Sequence, residues 1–100
     1  MVDWSLSARD DLRAIYDYIS RDSRFYAKKV IRDIVERASS LDILSERGRV
    51  VPELNDTSVR EIFVYSYRIM YQILSNRVEV LAVIHGQRNI SAQDILPPDH

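Results

Sequence analysis

The chain has no cysteine, which removes disulfides and thiol chemistry and fits a reducing compartment. Its two histidines, His85 and His100, show no metal-ligand spacing, so neither a metal nor another cofactor is expected. No apolar run approaches the roughly 20 residues that span a bilayer. The opening MVDWSLSARDD has no basic stretch followed by an apolar one, so a cytoplasmic protein away from membranes is the expectation. Glycine occurs twice and proline three times in 100 residues, and no linker or low-complexity segment is present. Lysine is confined to positions 28 and 29 against twelve arginines, so any cationic function on a sheet must come from arginine. The net charge of −1 and pI near 6.1 lack the basic surplus of a protein that grips nucleic acid.

What is present is an ordinary globular chain, 46% hydrophobic and 29% charged, read as one domain over residues 1–100. A chain of this size buries about 60–70% of its unfolded surface. Ser7 and Asp10 form a capping-box pattern, after which Ala8, Leu12, Ile15, Tyr16 and Ile19 make an apolar stripe at helical spacing. Asp22 or Ser23 restarts the pattern, and Ala27, Val30, Ile31, Ile34, Val35, Ala38 and Leu41 carry it on, with Gly48 as the expected terminator. Two amphipathic helices joined by a short polar link read as an antiparallel hairpin.

The second half is strand-like. Ile62 to Tyr65, Tyr67 to Leu74 and Val78 to Ile84 are dense in β-branched and aromatic residues with no Pro or Gly inside. Val2 to Trp4 and Arg49 to Pro52 read as short strands, the second at an edge because of Pro52. Ser91 is read as the cap of one helical turn through Ile95. The order predicts a two-layer α+β fold, the helical hairpin packed on one face of a mainly antiparallel sheet of four to five strands.

An even loop at Ser75-Asn76 sets Arg68 opposite Val83, with His85 its diagonal neighbour at roughly 7–8 Å. In that register one face carries Ile62, Val64, Ile69, Tyr71, Ile73, Val78, Val80, Ala82 and Ile84, and needs the helices as cover. The other carries Glu61, Phe63, Tyr65, Arg68, Met70, Gln72, Glu79, Leu81, Val83 and His85, and is expected to stand bare. A change of one residue in loop length flips such an assignment.

These elements, with VREIFVYSYRIMYQI (Val59–Ile73) and VEVLAVIHGQRN (Val78–Asn89), resemble the ParE/RelE superfamily of bacterial type II toxins. WSLSARDDLRAIYDYI and GRVVPEL add weaker support, and the resemblance covers nearly the whole chain. It implies a toxin silenced by a cognate antitoxin, a small DNA-binding protein encoded alongside, in a hetero-oligomer. ParE-like members, the closer group, poison DNA gyrase. RelE-like members cut mRNA on the ribosome with a cluster of Lys, Arg and Tyr or His.

On this chain the resemblance makes Arg68, His85 and Arg88 the catalytic candidates if it is a nuclease, and Arg60, Tyr65, Arg68 and Arg88 the target contacts. Tyr18 and Phe25, off the apolar stripes, are the candidate antitoxin contacts. The strands hold no Lys and no Tyr follows Arg88, so His85 alone would have to move protons. A third reading is an inactive module that only pairs with an antitoxin. Plainer roles stand beside these: Arg68 as an ion-pair partner of Glu61 or Glu79, His85 as a polar strand end, Arg60 as a charge masking a strand start.

Overall fold

The computed structural model describes residues 1–86. Strand β1 (Val2–Trp4) leads into helices α1 (Leu6–Ser20) and α2 (Arg24–Ser39). Two single 3₁₀ turns, Ser40–Asp42 and Ser45–Arg47, return the chain to β2 (Arg49–Val50). A loop then opens the meander β3 (Val59–Val64), β4 (Tyr67–Ile73) and β5 (Val78–His85). The five strands lie in the order β1-β5-β4-β3-β2, with β1 parallel to β5 and every other pair antiparallel. The α+β fold expected from the sequence is the fold observed.

The helical stripes do what their spacing dictates. Ala8, Leu12, Ile15 and Ile19 of α1 and Val30, Ile34 and Ala38 of α2 pack with Ile62, Val64, Ile69, Tyr71, Val78, Val80 and Val83 of the sheet. Ser5, not Ser7, caps α1. Its Oγ accepts from the Ala8 N–H at 3.0 Å and donates to the Leu81 C=O, while its own N–H bonds Val80, so one serine ends β1 and begins the helix. Ser23 caps α2 by accepting from the Tyr26 N–H.

Gly48 does not terminate α2, which ends at Ser39. Its φ of −76° is ordinary, and its need is space: a Cβ there would lie 2.5 Å from the Glu61 carbonyl oxygen and 2.6 Å from the Tyr71 hydroxyl. That hydroxyl accepts from the Gly48 N–H and donates to the Ser45 C=O, tying the 3₁₀ segment to the middle of β4.

Positive φ occurs, among the described residues, at Asn55 (51°) and Tyr65 (56°). Of the two hairpins of the meander, the one at Tyr65-Ser66 therefore holds the left-handed residue, and the one at Ser75-Asn76 holds none. A tyrosine in that region carries a steric cost of about 1–2 kcal/mol.

The face turned from the helices is not bare. Val51, Val59, Met70, Leu81 and Ala82 form a second apolar cluster there, with Leu54 and Ile84 against it. Residues 51–58, between β2 and β3, fold back to supply Val51 and Leu54, so part of this face is covered by the chain itself.

Candidate functional site

The β4–β5 ladder places the candidate residues. Ile73 faces Val78 and Tyr71 faces Val80, the register expected from the sequence. Between Met70 and Tyr71 it shifts: Met70 faces Ala82, so Leu81 is the extra residue of a β-bulge. Beyond the bulge every partner moves by one. Arg68 lies opposite Ile84, Ile69 opposite Val83, and Tyr67 opposite His85. Arg68 and His85 consequently stand on opposite faces of the sheet, contrary to the expectation that they gather on one. Val83 joins the helical core, and Ala82 and Ile84 join the second cluster.

Arg68 is 4% exposed and held by carboxylates. Its Nε donates to Glu61 Oε1 at 2.8 Å, and Nη2 approaches the same oxygen at 2.6 Å. Nη1 and Nη2 each donate to one oxygen of Glu53 at 2.9 Å, the paired geometry that a planar guanidinium favours. Arg49 Nε donates to the other oxygen of Glu61 at 2.5 Å, and its guanidinium lies 5.5 Å from the Phe63 ring. Two arginines and two glutamates thus neutralise one another across β2, β3, β4 and the 51–58 loop. The Arg68 hydrogen bonds hold the Glu53 carboxyl below its usual range, with burial opposing, and Glu53 in turn raises Arg68. The ion pair with Glu61, weighed from the sequence, is present. Glu53 was missed because a loop carries no periodicity to say where it lands.

His85 is on the helical side, its ring edge-on to Tyr67 at 6.0 Å and 78°. Together with Asp11, Ile15, Tyr18 and Val83 it lines a cleft of about 490 Å³ between α1 and β5. Asp11 accepts from the Val83 N–H at 2.9 Å, a side chain covering the strand edge where β1 has ended. Burial pushes the Tyr67 phenol up, and that of Tyr71 also.

The remaining candidates are dispersed. Arg60 Nη1 donates to the Gly48 C=O at 3.0 Å and reaches the Glu46 C=O at 3.4 Å, stapling the approach to β2. The Tyr65 hydroxyl binds Asp33 and accepts from Lys29 Nζ at 3.2 Å, anchoring the β3–β4 turn to α2. Tyr18 is exposed with the Arg21 guanidinium 5.9 Å from its ring, and Phe25 is exposed at the start of α2. Arg88, His100 and the turn expected after Ser91 lie outside the described residues. Among the described residues no cluster of His, Asp or Glu has metal-binding geometry, and no helix is long and apolar enough to cross a membrane.

Comparison with known proteins gives consistent results. A family model described as the ParE toxin of the type II toxin-antitoxin system, parDE, matches residues 2–90. Toxin RelE2 of Caulobacter vibrioides is 33% identical over 86 residues, 85% of this chain and 93% of that protein. Among solved structures, a chain of the chromosomal ParDE TA system from P. aeruginosa superposes with a TM-score of 0.71 at 24% identity, over 84% of this chain and 92% of that one. A chain of the YoeB–YefM complex from Staphylococcus aureus gives a TM-score of 0.55 at 18% identity, over 85% and 94% of the two chains.

Proposed function

The chain belongs to the ParE toxin family of type II toxin–antitoxin systems, and from that premise we propose that it arrests growth by binding a macromolecular target, DNA gyrase, without chemistry of its own. A cognate antitoxin neutralises it in a hetero-oligomer; Tyr18 and Phe25, exposed on the helical hairpin, are the antitoxin contacts. Arg60, Tyr65, Arg68 and Arg88 are the target-side residues. Of these, Tyr65 presents an exposed ring, whereas Arg68 acts through the Glu53–Glu61–Arg49 network that shapes the surface.

One observation carries this reading: the bulge separates Arg68 from His85. Ribose 2′-hydroxyl attack needs a base, an acid and charge stabilisation at one phosphate. Here the sheet arginine is enclosed by carboxylates on one face and the imidazole stands on the other. Adding the purified protein to gyrase and relaxed plasmid tests the proposal. Loss of supercoiling with trapped cleavage complexes is expected; full supercoiling at saturating protein rejects it.

The second reading is ribosome-dependent mRNA cleavage, with His85 moving protons and Arg88 stabilising charge. It is favoured by the position of the His85 imidazole, exposed at the rim of the α1–β5 cleft beside Tyr67. Mapping mRNA 5′ ends in a translating extract decides it.

A further inference from the structure

Residues 51–58 arch from β2 to β3 across the face turned from the helices, and both ends of the arch are pinned. Val51 is fully buried and its N–H donates to the Val59 C=O. At the other end the Ser58 C=O accepts from the Ile73 N–H, and the Ser58 hydroxyl donates to Asp56. Among the described residues, the backbone hydrogen bonds of 52–57 close within 51–59: Leu54 N–H to Val51, and Val59 N–H to Asp56. The middle of the arch is tied to the sheet by side chains instead. Leu54 packs on the second apolar cluster, and Glu53 grips Arg68.

Glu53 is the outermost member of the charge network. Arg49 and Arg68 bring two positive charges and Glu61 one negative, so Glu53 supplies the charge that closes the balance. Its side chain is partly exposed whereas that of Arg68 is buried, so the carboxylate stands between the guanidinium and water. Were the arch to swing outward, Glu61 would stay on Nε and Nη2. The outer edge of the guanidinium would then present one net positive charge beside Met70 and Ile84.

Resting on the reading of binding without chemistry, we propose that residues 51–58 are an autoinhibitory strap. Glu53 takes, from within the chain, the seat on Arg68 that a carboxylate side chain of the protein target takes when the strap lifts. What Glu53 does there defines the occupant. Two oxygens meet two guanidinium nitrogens at 2.9 Å, a fork that fits a carboxylate. The seat balances one negative charge, because Glu61 already neutralises the other arginine. Leu54 follows Glu53 onto the apolar cluster, so the incoming acid should carry an aliphatic neighbour. Closed, Arg68 only shapes the surface; open, it touches the target. Apparent affinity is then reduced by the fraction of molecules whose strap is lifted.

Glu53→Ala in the full chain tests this, with Glu53→Gln as the milder variant. Tyr71→Phe, which loosens the fold elsewhere, is the control, and circular dichroism confirms the fold of each. Binding to purified gyrase should tighten about fivefold in Glu53→Ala, the worth of one partly exposed ion pair. The gain should be smaller in Glu53→Gln and absent in Tyr71→Phe. Unchanged or weaker binding by Glu53→Ala, or an equal gain in Tyr71→Phe, would overturn the strap. A second arm needs no gyrase, and so separates failure of the strap from failure of the gyrase reading. Sodium acetate should shift the Arg68 Nε–H resonance of Glu53→Ala and leave that of the wild type unmoved. No shift in the variant, an equal shift in the wild type, or a stronger response to dimethyl phosphate than to acetate overturns the proposal. An acetate response as expected, with no binding of any variant to gyrase, supports the strap and rejects only gyrase as the target.

Discussion

Glu53 closes both carboxylate oxygens on the Arg68 guanidinium, 2.9 Å to each nitrogen, from a loop that also supplies Val51 and Leu54 to the second core. Glu61 meets the same guanidinium from below, 1% exposed. The network is a latch between the meander and the 51–58 loop, and the two acids contribute unequally.

Removing Glu61 leaves Arg68 buried with its inner partner gone and Arg49 unpaired. Glu61→Ala should cost about 3–5 kcal/mol, the range for breaking a buried ion pair. Glu53 keeps 31% of its side chain in solvent, so Glu53→Gln should cost only about 1 kcal/mol. Urea denaturation of both variants checks the order, and an equal loss for the two would contradict it.

The depressed Glu53 carboxyl makes stability depend on acid. Its contribution is complete above the unfolded value of about 4.3 and is lost as pH falls through the lower folded value. The melting temperature should drop on acidification below pH ~4, and the drop should be smaller in Glu53→Gln, which has no proton to gain. Identical acid profiles for wild type and variant would refute this.

Gly48→Ala should destabilise by about 1–3 kcal/mol, because the added methyl must displace either the Glu61 carbonyl or the Tyr71 hydroxyl. Tyr71→Phe removes the same hydroxyl, leaving the Gly48 N–H without its acceptor, and should cost about 1–3 kcal/mol. Thermal melts of the two variants and of the pair test the coupling: the double variant should lose less than the two single losses added.

The extent to which this structure is legible in the sequence follows from where periodicity exists. The stripes of α1 and α2 and the β-rich runs are repeated signals, and they place the helical layer on the correct aliphatic residues from Ile62 to Val80. The bulge is invisible because Val78 to Ile84 is apolar almost throughout, so an extra residue at Leu81 breaks no alternation. One slipped residue moved His85 to the other face. Ser7 offered the better-looking cap, but Ser5 is the serine that can also bond Leu81 and Val80 at the end of β1. The Glu53 contact and the fold-back of residues 51–58 are tertiary events in a polar loop, with no local pattern to announce them.

The measurement that bears most directly on binding without chemistry is induced expression in a bacterial host, reading DNA damage and mRNA integrity side by side for the wild type and His85→Ala. The account predicts growth arrest with a DNA-damage response and intact transcripts for both proteins. Cleaved transcripts that the His85→Ala change restores to full length would contradict it.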